Sequence, residues 1–308
     1  GRPYMVVGTA ASMDGYASYG ASITYQNAKQ TFPCPAPVAI VADLDVMRHA
    51  PAGMTASGYA DLFSKVVAGA DWILADAVGA DPINPTAWSI VQDDLQDALG
   101  APAGISAGDK ESLRKFVEGL MLGGFAMQYL RSSRVASGAE HQFSHLWDME
   151  HHTYKGHAPS HGFKVGVATH FIAGIYERLL DEPMEKFDIP AACAAWPTWP
   201  QVEAEARALY AGTGFEDFIV GETKAKYVDR AGLAGQLQKI KDRWPELKAR
   251  LAKQLLTQKE VESRFRLVGA PVEPEEIGIS RERMRASVLK AQYLRRRYNV
   301  LDLALRMG

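Results

Sequence analysis

From Pro51 to the C-terminus the apolar residues recur at helical spacing, and that feature restricts the chain to a mostly α fold. Residues 56–78 put Tyr59, Leu62, Phe63, Val66, Val67, Ala70 and Leu74 on one stripe at i, i+3, i+4 intervals, with Asp61 on the opposite face. This is the pattern of an amphipathic helix. The spacing predicts a second helix over about 110–130, whose glycines at 119, 123 and 124 cost helix propensity. Their use would be close approach of another backbone, in a buried segment. Further helices are expected over about 162–180, 201–211, 230–243, 245–265 and 281–294, with Pro245 in a first turn. The Pro-rich "AAWPTWPQ" reads as a connector and "GAPVEPEEIG" as a loop.

Residues 1–50 are of another kind. "YMVVG" reads as a short apolar strand, "ASITYQNAKQTFP" as a hairpin and "PVAIVADLDVM" as a buried strand. So few strands, with no helix to cover them, do not make a stable domain, and they read as the end of a larger α/β domain. The chain has no initiator Met and enters its first strand at Tyr4, so we expect residues that precede it. No basic stretch followed by a long apolar run marks a signal peptide.

Composition narrows the classes further. Lys+Arg 34 against Asp+Glu 36 leaves a net charge of -2, which points to neither nucleic acid nor a membrane surface. No apolar run reaches the roughly 20 residues that span a bilayer. Cys34 and Cys193 give no disulfide framework and no thiol metal site, which fits a reducing cytoplasm. Neither G-x-G-x-x-G nor a Walker A sequence occurs. The one basic run, Arg295 to Arg297, reads as a solvated helix end.

The stretch "SGAEHQFSHLWDMEHHTYKGHAPSHG", residues 137–162, holds six of the eight histidines. Ser137 and Glu140 make an S-x-x-E capping box, which predicts a helix start. On that helix His141, His145, Asp148 and His152 share a narrow stripe, and His141 and His145 are i, i+4 neighbours. That spacing suits two ligands of one metal, or one ligand beside an acid/base group. It equally suits a solvated polar face. Asp61, and His161 at the start of the next helix, favour the first reading, since one Asp and two His leave a divalent cation open positions. Taken singly, Asp61 also reads as a surface carboxylate paired with Lys65, and His161 as a loop histidine beside the cap Ser160. In "VVGTAASMDGYAS" a strand runs into a small-residue loop with Thr9, Ser12 and Asp14, suited to a nucleotide or substrate, or simply to a turn.

Together the segments "VGTAASMDGYAS", "APVAIVADLDVM", "ASGYADLFSK", "ASGAEHQFSHLWDM", "SHGFKVGVATHF" and "GAPVEPEEIGIS…LRRRYNVLDL" resemble the sn-glycerol-1-phosphate dehydrogenases. That family shares a fold superfamily with iron-containing alcohol dehydrogenases, glycerol dehydrogenase and dehydroquinate synthase. The segments occur in family order and cover nearly the whole chain. The resemblance implies a C-terminal helical domain of a dehydroquinate synthase-like fold over 51–308, all-helical, metal-binding and catalytic. Residues 1–50 would be the last strands of the nucleotide-binding α/β domain, whose G-G-G-x-x-x-D stretch lies before them.

The resemblance also implies site residues. Asp61, His141 and His161 would bind one divalent metal, with zinc ahead of nickel or iron. Thr9, Ser12 and Ser18 would contact NAD(P)H, while Asp14 and His145 would serve at the substrate. The cation would polarise the ketone of dihydroxyacetone phosphate, the nicotinamide would deliver hydride, and sn-glycerol 1-phosphate would form. The expected partners are that small phosphorylated substrate and further copies of the chain as a homo-oligomer, with no nucleic acid. Glycerol or another polyol as substrate keeps the fold. Dehydroquinate synthase fits less well, because it uses Glu where this chain has Asp61. A non-catalytic helical binding or oligomerisation module is the reading from another class.

Overall fold

In the computed structural model, which describes residues 2–25 and 28–308, helix follows helix from Ala52 to Met307. Strands β1 (Met5–Gly8) and β4 (Ala39–Ala42) pair in parallel, Met5 opposite Ala39 and Gly8 opposite Ala42. Strands β2 (Ala21–Tyr25) and β3 (Ala28–Phe32) pair antiparallel, as the alternating pattern predicts; residues 26 and 27 of that hairpin lie outside the described residues. The segment read as a buried strand is not buried. Val38, just before β4, is 71% and Val41 44% exposed, and within β4 exposed and half-buried residues alternate. A short helix, α1 (Leu44–Met47), follows, and its Met47 lies fully buried under Gly8.

The expected helix over 56–78 is two helices, α2 (Ala52–Phe63) and α3 (Lys65–Val78). Ser64 joins them. Its hydroxyl donates to the Asp61 carbonyl at 2.7 Å, a back-bond of the kind that bends helices. Three short helices, α4 (Pro85–Gln92), α5 (Leu95–Ala98) and α6 (Pro102–Ala107), then lead into α7 (Lys110–Leu130), the second helix that the spacing predicts. Only one face of α7 is buried: Phe116 and Leu120 are inside, while Phe125 and Tyr129 are exposed.

Next come α8 (Ala139–Met149) and α9 (His161–Asp181). The capping box at Ser137 is not formed. Gly138 is the N-cap, and Glu140 reaches back to the Gly138 N–H instead. The remaining helices are α10 (Ile189–Ala195), α11 (Trp199–Leu209), α12 (Glu216–Lys226), α13 (Arg230–Asp242), α14 (Trp244–Gln254), α15 (Gln258–Val268), α16 (Arg281–Tyr293) and α17 (Val300–Met307). The expected helix over 245–265 breaks because Thr257 and Glu260 form a capping box that starts α15 afresh.

α2 and α3 lie at the centre. One apolar cluster, with Tyr59, Phe63, Phe116 and Phe265, packs α2 against α7 and α15. Phe63 and Phe265 meet edge to face at 5.1 Å, a favoured aromatic geometry. A larger cluster around Trp147 and Tyr176 joins α3, α8 and α9 to the C-terminal helices. From Thr55 to Val78 nearly every residue of α2 and α3 is buried, so beyond the exposed first turn at Ala52–Met54 neither helix has a solvent face. Asp61, assigned by the helical wheel to the face opposite the apolar stripe, is fully buried.

Candidate metal centre

Small residues bring three segments within contact of one another. A Cβ on Gly58 would stand 2.1 Å from the Ala11 carbonyl oxygen, so the loop after β1 lies directly on α2. A Cβ on Gly162 would stand 1.9 Å from the Ser57 carbonyl oxygen, so the first turn of α9 also lies on α2. Only glycine permits approaches this close. Asp61 sits one turn beyond Ser57 and therefore faces both neighbours.

Asp61, His141 and His161 converge there, with one donor atom of each lying within 4.8 Å of the others. His141 Nε2 is 3.6 Å and His161 Nε2 3.7 Å from Asp61 Oδ1. The other carboxylate oxygen, Oδ2, accepts the Asp14 N–H at 3.0 Å. Oδ1 is buried and has no hydrogen-bond partner among the described residues. A buried carboxylate oxygen without a donor is costly, and here it faces two imidazole nitrogens. Donor atoms about 2 Å from a zinc ion stand roughly 3.3 Å apart, so a divalent cation fits this set with a small contraction. Asp/His/His suits zinc, nickel or iron alike.

The surrounding groups orient these donors. Glu140 Oε1 lies 2.7 Å from His141 Nδ1, which turns Nε2 toward Asp61. Ser144 Oγ lies 3.3 Å from His161 Nδ1 and does the same for the second ring. Burial pulls the His141 imidazole down, but the Asp61 and Glu140 carboxylates outweigh it and hold the ring up to about 9. Burial pushes Asp61 up, and Lys65 with the two histidines outweighs that, holding the carboxyl well below its usual range.

Lys65 is not the surface partner expected at i+4. It is fully buried, donates to the Asp61 carbonyl at 3.1 Å and stands 2.7 Å from Asp14 Oδ2. Burial pulls its ammonium down, and the Asp14 and Asp61 carboxylates outweigh this and hold it above its ordinary value. Gly123 of α7 makes room for the pair, since a Cβ there would come 3.0 Å from Lys65 Cε and 3.3 Å from Asp14 Oδ2. The close backbone approach expected of the α7 glycines falls to Gly124, where a Cβ would stand 3.0 Å from Ala17 Cα and from the Asp14 carbonyl oxygen, while Gly119 and Gly123 face side chains.

The other sequence candidates divide. Asp14 is buried beside Asp61, and the His145 ring lies 6.2 Å from His141 and 6.4 Å from His161. Ser12 and Ser18 are half-buried in the loop and turn after β1, where Ser12 Oγ meets Tyr16 Oη at 3.1 Å and Ser18 Oγ donates to the Gly15 carbonyl. Thr9 is exposed at the end of β1. His161 is the first residue of α9, capped by Ser160 as expected. Asp148 pairs with Lys164 rather than joining the centre. His152 lies past the end of α8, bonded to the Ile277 carbonyl and to Arg283, so it leaves the predicted stripe. Sequence reasoning missed Lys65 and Glu140. Their signals were present, an i+4 lysine and an acid next to His141, but each had an ordinary surface or capping explanation.

The chain is similar to several known dehydrogenases. A family model described as iron-containing alcohol dehydrogenase matches residues 1–51. The glycerol-1-phosphate dehydrogenase of Bacillus subtilis is 33% identical over 231 residues, taking in 73% of this chain and 59% of that protein. The protein of the same name from Halalkalibacterium halodurans is 34% identical over 187 residues, 61% of this chain and 47% of the relative. That of Pyrococcus furiosus is 32% identical over 209 residues, 67% of this chain and 59% of the relative. The chain spans about half the length of these curated relatives. Among solved structures, an alcohol dehydrogenase from Oenococcus oeni superposes with a TM-score of 0.53 at 19% identity, covering 99% of this chain and 64% of that one, a likeness of fold. The fold is the helical domain of the dehydroquinate synthase-like architecture, preceded by a few strands. By sequence the chain is a relative of the glycerol-1-phosphate dehydrogenases, within the superfamily of iron-containing alcohol dehydrogenases.

Proposed function

We propose that the chain is the metal- and substrate-holding part of an NAD(P)-linked dehydrogenase that interconverts dihydroxyacetone phosphate and sn-glycerol 1-phosphate. In this reading residues 1–50 are the last strands of the nucleotide-binding domain and 51–308 the catalytic helical domain. The observation that carries it is Asp61 Oδ1, buried without a hydrogen-bond donor and faced by the Nε2 atoms of His141 and His161. These three residues hold the divalent ion, zinc ahead of nickel or iron. When bound, the cation supplies Lewis-acid polarisation of the carbonyl, and reduced NAD(P) supplies the hydride.

The chain's own residues do the rest. Lys65 holds the Asp14 carboxylate in place beside the centre, where it can accept a substrate hydroxyl. His145, one turn along α8 from His141, is within reach of the substrate oxygen and exchanges a proton through its imidazole nitrogen. Thr9, Ser12 and Ser18 present hydroxyls on the dinucleotide side. The protein works as a homo-oligomer in the cytoplasm.

Elemental analysis and turnover test the reading together. The reconstituted wild-type chain is expected to hold stoichiometric divalent metal, and Asp61→Ala and His161→Ala to lose it. NADH oxidation with dihydroxyacetone phosphate is then compared with free dihydroxyacetone and glycerol oxidation. Full metal retention in both variants would sink the site, and preference for the free polyols would redirect the substrate.

A further inference from the structure

The basic run at 295–297 lines a cavity of ≈ 690 Å³ between α12, α17 and the turns that follow α3 and α7. None of its lining residues belongs to the Asp61 centre. Lys226, Arg295, Arg296, Arg297 and Arg306 face it, against the carboxylates of Asp81 and Glu222. Both carboxylates are already matched. Glu222 takes the Arg296 guanidinium, and Asp81 lies 3.1 Å from Nε of the buried Arg134.

The cations divide into spent and unspent. Lys226 is 2.9 Å from Asp302, and Arg306 donates to Gln236 and to the Lys226 carbonyl. Arg295, half-buried, makes no hydrogen bond or ion pair among the described residues, and Arg297 makes a single one, to Ser133 Oγ at 2.8 Å. Arg134 Nη1 is buried without a partner as well. Burial pushes the Arg297 guanidinium down to about 10, and Arg134 and Arg295 push it the same way. An arginine does not shed its proton in a protein, and Asp81 and Glu222 offset the positive charge here only in part, since they stand against Arg134, Arg295, Arg296 and Arg297. The sequence reading of a solvated helix end is therefore wrong for Arg295 and Arg297, which other segments of the chain partly cover.

We propose that this cavity is an anion site separate from the Asp61 centre, which takes a phosphate-bearing small molecule on Arg295 and Arg297. A guanidinium fork matches phosphate oxygens in pairs, and a dianion would offset the unmatched charge of both arginines. The volume is that of a small-molecule pocket, with room beyond a bare phosphate. Ser132, at its rim, offers a further hydroxyl.

Isothermal titration of the whole chain with inorganic phosphate, and separately with pyrophosphate, at constant ionic strength tests this. Saturable binding is expected, weakened about tenfold or more by Arg295→Ala and unchanged by Asp61→Ala. Because Arg295 makes no hydrogen bond or ion pair among the described residues, its removal is expected to leave the fold intact, which circular dichroism checks. Arg297→Lys, which keeps the charge but loses the fork, is expected to weaken binding less. Tighter binding of pyrophosphate would mark a larger phosphorylated ligand, and equal binding a single phosphate. No saturable binding to wild type overturns the proposal, and so does binding that survives Arg295→Ala or disappears in Asp61→Ala.

Discussion

Glu140 Oε1 lies 2.7 Å from both His141 Nδ1 and the Gly138 N–H, so one carboxylate closes the start of α8 and aims the His141 ring. Replacing it by glutamine keeps the shape and weakens the acceptor. Glu140→Gln is expected to lower metal affinity about 10–100-fold. Competition with a chelator of known affinity measures it, and an unchanged affinity would mean that the helix backbone alone sets the ring.

Lys65 and Asp14 form a buried ion pair. Removing one charge leaves the other stranded, at a cost of about 3–5 kcal/mol. Lys65→Met should fall in that range in urea unfolding, while Lys65→Met with Asp14→Asn should recover part of the loss. Simple additivity of the two single changes would show that the pair is not coupled.

Gly162 lets α9 touch α2, where a Cβ would stand 1.9 Å from the Ser57 carbonyl oxygen. Backbone cannot rotate aside as a side chain can. Gly162→Ala is expected to cost about 1–3 kcal/mol and to move His161 away from Asp61, lowering metal affinity with it. Loss of stability with full metal affinity would separate the helix contact from the centre.

Asp71 accepts the N–H groups of Ala139 and Val300 and the Tyr176 hydroxyl, at 2.7, 2.9 and 2.6 Å, and thereby ties the starts of α8 and α17 to α9. Burial, then the neighbouring Glu140 carboxylate, push its carboxyl up to about 7 against those three donors. The folded value lies above the unfolded one, so folding takes up a proton between about pH 4 and 7. The stability this group contributes is full below that window and is lost as pH rises through about 7. Unfolding free energy should therefore fall between about pH 4 and 7 more steeply in wild type than in Asp71→Asn. Equal slopes would show that Asp71 stays ionised throughout.

The helices were legible because burial repeats with the period of the backbone. Ser160 announced α9, and the period of 110–130 matched α7. Two interruptions were not visible as breaks. Ser64 bends the α2–α3 run through a bond to its own chain, and Thr257 recruits Glu260 to start a new helix inside an unbroken apolar pattern. The candidate site was legible only in part. Spacing grouped His141 with His145, the donor chemistry suggested adding Asp61 and His161, and the resemblance to a family implied that Asp61, His141 and His161 hold one metal. A helical wheel also set Asp61 and Lys65 in solvent, because it assumes that one face is always free.

The sequence by itself determined that residues beyond Pro51 fold as helices, since the apolar period leaves no other regular structure, and that His161 begins one of them. It also held the glycines that allow backbones to touch. Which elements touch was decided only in the tertiary structure. There α2 is covered on every side from Thr55 onward, which brings Asp61 against two histidines from other helices and buries Lys65 beside Asp14. The physical reason is that a periodic pattern records how much of a helix is buried, whereas the partner that buries it comes from contacts far apart along the chain.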